Sequence, residues 1–312
     1  MTKFRAYSSA AYSVSLPAQH KFPMYKYAGV RDTLALAGLT ILEPPRPDWT
    51  LVERVHSDVY LRKLRFGTLE AKEVRQLGFP WSPELVERAL RATGGTVVAA
   101  QDALESGLGI NLAGGTHHAY PDHGEGFCVL NDVAIAIKEL QITQGLERIL
   151  ILDLDVHQGN GSAHIFANDS RVFTLSVHGE RNYPFHKEMS DLDIGLADFV
   201  TDAEYQRILE TRVLPAVANF KPQLMFYLAG VDVLERDQFG RFALSLGGAK
   251  ARDHTVFAWC KAARVPVVSL MGGGYNKDKP VTVEAHVNTV RAALEVYSPR
   301  GQRPTSSIVL PS

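Results

Sequence analysis

The sequence predicts an α/β protein built on one mainly parallel β-sheet with helices on both faces. Three observations lead there. Short apolar or β-branched runs alternate with segments of helical period, which is the pattern of strands joined by crossover helices. The strand runs are apolar almost throughout, as strands covered on both faces are. No internal repeat and no Gly- or Ser-rich linker divides the 312 residues, so one domain spanning 1–312 is expected.

The elements follow in order. A first strand is expected at residues 3–7. Ser82-Pro83 opens a helix, with Ser as N-cap and Pro at the first helical position. Gly94-Gly95 is expected to break it, a second helix then running to Ser106 before Gly107. Strands are expected at 109–112, 148–152, 172–177, 224–229 and 265–271. Residues 131–140 read as a helix with a continuous apolar face. Thr201-Asp202-Ala203-Glu204 fits a capping box, with a helix to about 219 kinked near Pro215. Further helices fall at 248–263 and 281–297, and 298–312 reads as a surface tail rich in Pro, Arg and Ser.

Composition narrows the function classes. Thirty-three basic side chains face 34 acidic ones without a block of either sign. Non-specific nucleic-acid binding through a basic face is therefore not suggested, and a basic protein substrate would need a local acidic rim. The two cysteines, Cys128 and Cys260, are too few for a disulfide framework or a Cys-based zinc site, and they fit a reducing compartment. No apolar run approaches membrane-spanning length, and residues 1–18 lack the apolar core of a signal peptide. A cytoplasmic location is expected.

Chemistry concentrates at strand ends. The strand 148–152 runs out into Asp153-Leu154-Asp155-Val156-His157-Gln158-Gly159-Asn160-Gly161. Three other polar clusters follow predicted strands: Gly114-Gly115-Thr116-His117-His118, Ala229-Gly230-Val231-Asp232 and Gly272-Gly273-Gly274-Tyr275. In a parallel sheet these ends share one edge, where ligands bind. Asp155, His157 and Asp232 would offer O, N and O donors, and three protein ligands with an open position is how catalytic zinc is held. Fe(II) or Co(II) would suit the same donors. Alternation along an extended segment points Asp155 and His157 to one side, with Asp153 one step further back. Taken singly, an Asp-x-Asp is ordinarily a loop or cap feature, a His-His pair surface or core, and Gly-Gly-Gly-Tyr a turn. Four such clusters at four strand ends favour a functional site.

These motifs, with Gly126-Phe127-Cys128-Val129-Leu130-Asn131-Asp132, make the chain resemble the histone deacetylase superfamily of the arginase/deacetylase fold from about His20 to Tyr297. Phe-Pro-Met-Tyr-Lys-Tyr (22–27), Gln-Gly-Asn (158–160) and Arg-Asn-Tyr-Pro (181–184) most resemble its class IV branch. The resemblance implies a zinc-dependent hydrolase that removes acyl groups from lysine ε-amines of proteins or peptides. It implies Asp155, His157 and Asp232 as zinc ligands, and His117 and His118 as the paired histidines. Asp153 would orient His117, Asn160 would partner His118, and Tyr275 would hydrogen-bond the scissile carbonyl. Phe127 and Tyr183 would wall the acyl-lysine tunnel with Gly126 and Gly273, Tyr183 standing where Phe is more usual. Asp153, Asp155, His157, Ser176 and Val177 would hold a structural monovalent cation, potassium.

The physics agrees with those roles. His118, beside a neutral amide, suits general base and acid work, whereas Asp153 favours the cationic form of His117. Asn160 removes a charge that family members with Asp there retain, which lowers the basicity of His118. Class IV similarity suggests tolerance of long fatty acyl groups, with Gly114 and Gly115 leaving room below the metal. One departure is Pro80, which aligns with a rim carboxylate that holds the substrate backbone. Small acylated amines such as acetylpolyamines are the alternative substrates, and a non-catalytic acyl-lysine binding module the alternative class. An arginase-like two-metal site would need more carboxylates than these motifs offer.

Overall fold

The computed structural model describes residues 4–298. Its strands are β1 (Arg5–Tyr7), β2 (Thr40–Leu42), β3 (Leu108–Asn111), β4 (Ile149–Asp153), β5 (Val172–Gly179), β6 (Leu192–Leu196), β7 (Leu224–Leu228) and β8 (Val267–Leu270). They form one sheet in the order β2-β1-β3-β8-β7-β4-β5-β6, with every neighbouring pair parallel. The α/β fold expected from the alternating pattern is therefore the one observed. Residue 3 and residues 299–312 of the expected first strand and tail lie outside the described residues.

Both sheet faces are buried, and strand period 2 shows how. Leu150 and Leu152 of β4 join Met225 and Tyr227 of β7 in one core cluster. Ile149 and Ile151 join Leu224, Phe226 and Leu228 in another on the opposite face. Strands apolar at every position satisfy both layers at once. Among the described residues, no helix is long and apolar enough to cross a membrane.

Two helix expectations are corrected. Pro83–Ser106 is one unbroken helix, capped by the Ser82 side chain and ended by left-handed Gly107. Gly94 and Gly95 do not break it because they serve close packing. A Cβ on Gly94 would lie 1.9 Å from the Pro45 carbonyl oxygen, and one on Gly95 2.8 Å from the Asn111 side chain. Near Pro215 the chain does not simply kink. The helix Asp202–Ile208, which carries the expected capping box, passes into a π-helical turn, Leu209–Val213, and resumes as Leu214–Phe220. Pro215 lacks an N–H and crowds the preceding turn, and the widened turn accommodates it.

The topology decides where the site lies. β3, β8, β7 and β4 are consecutive neighbours at the middle of the sheet. Each is followed by one of the four polar clusters, so a single edge gathers all of them.

Candidate active site

Asp155, His157 and Asp232 lie with one potential ligand atom each within 4.8 Å of one another, all buried. His157 Nδ1 stands 3.0 Å from Asp155 Oδ1 and 3.1 Å from Asp232 Oδ2. The backbone fixes the carboxylates: the Gly273 N–H donates to Asp155 Oδ2 at 2.7 Å and the Val156 N–H to Asp232 Oδ1 at 3.0 Å. Only glycine fits at 273, since a Cβ there would lie 1.8 Å from Asp232 Oδ2. Burial and the neighbouring Asp155 charge push the Asp232 carboxyl up to about 7. No Lys or Arg is a hydrogen-bond partner of either carboxylate among the described residues. Two buried carboxylates and an imidazole arranged this way fit a divalent cation, whose charge would relieve that repulsion.

Two more imidazoles stand beside this trio. His117 Nδ1 is 2.6 Å from Asp153 Oδ2, and His118 Nδ1 is 2.6 Å from Asn160 Oδ1. Among the described residues, Nε2 of neither ring has a hydrogen-bond partner. Burial pulls His117 down, but the Asp153 charge more than offsets it and holds the ring up at about 9. His118 has no such partner, so burial and the positive rings of His117 and His157 hold it well below its ordinary value. One imidazole is therefore cationic at neutral pH and its neighbour neutral. Asp132 anchors the loop carrying both by accepting from the Gly115 and Thr116 N–H groups at 3.2 and 2.8 Å.

Tyr275 is buried against Phe239 and Phe127, with ring centroids 4.9 and 6.1 Å away. Asp237 holds it by accepting its N–H at 2.6 Å, and Gln238 donates to its carbonyl at 2.8 Å. Burial, with Asp232 and Asp155 nearby, raises the phenol well above its ordinary value, so it stays a donor. His117, His118, Asp155, His157, Asp232, Tyr275, Phe127, Gly126 and Gly273 all line one small pocket of about 50 Å³. Asp153 and Asn160 sit behind it as partners of the histidines, and the Tyr183 ring packs edge-on to His118 at 5.1 Å.

A histone deacetylase domain model matches residues 20–290. The chain belongs to the histone deacetylase family. An uncharacterized protein of Picosynechococcus sp. is 43% identical over 290 residues, which is 92% of this chain and 97% of that one. Histone deacetylase 2 of Arabidopsis thaliana is 31% identical, covering 89% of this chain and 76% of its own. A probable deacetylase of Archaeoglobus fulgidus is 33% identical over 76% of this chain and 70% of its own. The crystal structure of the HDA15 HD domain superposes with a TM-score of 0.76 over 95% of both chains at 20% identity, which shows the shared fold. The protein is a hydrolase of the histone deacetylase family.

Close packing limits the room expected at Gly114 and Gly115. A Cβ on Gly114 would lie 2.5 Å from Asp132 Oδ2 and one on Gly115 3.1 Å from the Gly272 nitrogen, although Gly114 itself borders the adjoining space. The adjoining space is a cavity of about 50 Å³ whose walls include Phe22, Phe79, Leu85 and Leu130. At the rim, Pro80 is exposed, while Phe79 turns inward and stacks on His20, centroids 5.5 Å apart. For the monovalent cation set, Asp153 and Ser176 are register partners on β4 and β5, and Ser176 Oγ lies 2.9 Å from His178 Nδ1.

Some site residues escaped the sequence reading. Phe22 and Phe79 pack on Phe127 at 5.4 and 5.3 Å. Lys26 lines the pocket and donates to the Gly272 carbonyl at 3.0 Å. Glu125 sits behind Asn160, accepting from its Nδ2 at 2.9 Å. Glu125 adjoins a quoted motif, and Phe22 and Lys26 lie inside the quoted run 22–27, so proximity to the motifs was the available signal.

Proposed function

We propose that the protein is a zinc-dependent lysine deacylase: a hydrolase that cleaves the amide joining an acyl group to a lysine ε-amine. The observation that carries this reading is the pocket that holds the Asp155–His157–Asp232 donor set, a neutral His118 and the Tyr275 phenol together. Zinc, when bound by those three residues, supplies a Lewis acid that polarises the acyl carbonyl and acidifies water. Fe(II) or Co(II) suits the same donors, and elemental analysis of the purified protein distinguishes them. His118 Nε2 takes a proton from the attacking water and returns it to the leaving amine. His117, cationic against Asp153, contributes its charge. The Tyr275 hydroxyl donates to the oxygen on which negative charge develops. Phe127 and Tyr183 exclude water around the lysine stem.

Several finer points belong to the same proposal. The small cavity beside the pocket favours short acyl groups, acetyl above all, over long fatty chains. A groove of about 800 Å³ beside Tyr275 has Lys21, Arg88, Lys277 and Lys279 as its charged walls and, among the described residues, no carboxylate. That lining favours an acyl-lysine in a neutral or acidic segment over a basic tail. We place the protein in the class IV branch on motifs that include Lys26 and Tyr183, and treat 1–312 as one cytoplasmic catalytic domain. A potassium ion at Asp153, Asp155, His157, Ser176 and Val177 is part of the reading, supported by the register of Asp153 with Ser176. Acetylated polyamines remain the second substrate class.

The test is a panel of acetyl-, octanoyl- and myristoyl-lysine peptides with an acetylpolyamine, assayed on zinc-loaded, chelated and zinc-restored protein. Acetyl-lysine should turn over fastest, chelation should abolish turnover, and zinc should restore it. Activity that survives chelation defeats the reading, as does a zinc-loaded protein inert on every substrate. Best turnover on myristoyl-lysine would reverse the acyl-length assignment alone.

A further inference from the structure

A carboxylate stands one hydrogen bond beyond the His118–Asn160 pair. Glu125 Oε1 accepts from Asn160 Nδ2 at 2.9 Å and from the Tyr183 hydroxyl. Its Oε2 accepts from Gln76 Nε2 at 2.8 Å and faces His123 Nε2 at 3.6 Å. We propose that Glu125 is a positioning residue for the hydrolysis: acting through Asn160, it decides which ring nitrogen of His118 is free to take a proton. The inference rests on the deacylase reading and adds a residue to it.

An asparagine amide is ambiguous by itself. It can offer oxygen or NH₂ to an imidazole, and the two choices demand opposite tautomers. With oxygen facing Nδ1, the ring carries its proton there and Nε2 keeps the lone pair. With NH₂ facing Nδ1, the proton moves to Nε2 and the ring cannot serve as base. An ionised carboxylate only accepts, so Asn160 must turn its NH₂ toward Glu125 and its oxygen toward His118. Burial would raise the Glu125 carboxyl, but hydrogen bonds from His123, Tyr183, Gln76 and Asn160 outweigh it and hold it down to about 2. Glu125 is therefore ionised wherever the enzyme works. The charge that Asn160 lacks is present after all, displaced outward.

The backbone keeps this carboxylate in place. The Glu125 N–H donates to the Cys128 carbonyl at 3.1 Å and the Cys128 N–H returns to the Glu125 carbonyl at 2.8 Å. Between them Gly126 and Phe127 have φ of 55° and 67°, as a tight turn of left-handed residues requires. One turn thus carries both a tunnel wall, Phe127, and the residue that sets the tautomer.

Moving the charge tests the idea. In Glu125→Gln the acceptor-only group is lost, Asn160 can turn over, and kcat on an acetyl-lysine peptide should fall by roughly tenfold or more at nearly unchanged KM. Asn160→Asp alone sets two carboxylates face to face and should also lower kcat. Combining the two substitutions moves the charge inward, where the introduced carboxylate accepts from His118. The introduced amide then donates its NH₂ to that carboxylate and to the Tyr183 oxygen, while its own oxygen accepts from Gln76. The double variant should regain kcat to within about threefold of wild type.

The ¹⁵N shifts of the His118 ring read the tautomer without turnover. It should be Nδ1-protonated in wild type and in the double variant, and mixed in Glu125→Gln. With all variants unfolding at the wild-type midpoint, three results overturn the proposal: unchanged kcat in Glu125→Gln, a double variant no better than Glu125→Gln, or a ring that stays Nδ1-protonated in Glu125→Gln. Should Glu125→Gln fail to fold, Asn160→Asp with kcat at or above wild type overturns it. A wild type that hydrolyses no acyl-lysine counts against the deacylase reading instead, and the ring shifts still decide the role of Glu125.

Discussion

His117 and His118 are neighbours in the chain with ring centroids 4.1 Å apart, yet they are in different charge states. Both are buried and both anchor Nδ1 at 2.6 Å. The difference is the anchor. Asp153 brings a full charge into direct contact, so His117 is cationic, whereas Asn160 brings a dipole with its charge one residue further out, on Glu125. In a water-poor site the distance of the countercharge decides protonation, because a charge in direct contact interacts far more strongly than one beyond an intervening group. In the proposed mechanism two identical residues thereby divide the labour: one holds charge and the other exchanges protons.

The largest effect should come from breaking that division on the proton-transfer side. His118→Ala removes the group proposed to move protons, and kcat on acetyl-lysine should fall by about 10³-fold. His117→Ala removes only a fixed charge and should cost nearer tenfold, with the metal retained. Steady-state kinetics on zinc-loaded variants, with zinc content measured, would decide. Equal losses, or a larger loss for His117→Ala, would reverse the assignment of the two rings.

Tyr275→Phe sharpens the comparison next. The ring keeps its packing on Phe239 and Phe127 and its Asp237 anchor to the backbone, so only the hydroxyl is lost. We expect kcat to fall by about 100-fold with KM little changed, as for removal of one donor to a developing oxyanion. An unaltered kcat would mean that the two histidines and the metal suffice without a phenol donor.

How much of this was legible in the sequence depended on the range of the interaction. β4 and β7 announce themselves because runs of four and five successive apolar residues have no other use, and the clusters behind them follow from parallel topology. The edge strands β2 and β6 were unread because one has three residues and the other alternates partly exposed positions. Gly94-Gly95 was misread because a local rule treats glycine as a breaker, while the deciding atom, the Pro45 carbonyl oxygen, lies some fifty positions away. Asn160 was readable as a neutral partner, but its tie to Glu125 spans 35 positions and a turn whose φ angles the sequence does not display. The same limit hid Phe22 and Phe79, which reach Phe127 only through tertiary packing.

A third buried imidazole gives the comparison its counterexample and the smallest predicted effect. His56 donates from Nδ1 to the Tyr120 carbonyl at 2.9 Å and accepts the Asn131 N–H on Nε2 at 3.0 Å. Burial without any carboxylate holds it down at about 4, opposite in direction to His117. Because the folded pKa lies below the unfolded value of 6.5, its stabilisation is complete above pH 6.5 and is lost as pH falls toward 4. Between pH 6.5 and 5 the wild type should lose about 2 kcal/mol through this group. His56→Gln keeps one donor and one acceptor but cannot titrate. Urea unfolding of both proteins across that range should therefore show a shallower pH dependence in the variant. Parallel curves would mean that His56 finds a compensating anion when it charges. Burial alone would then not separate it from His117, and the countercharge argument would lose its control.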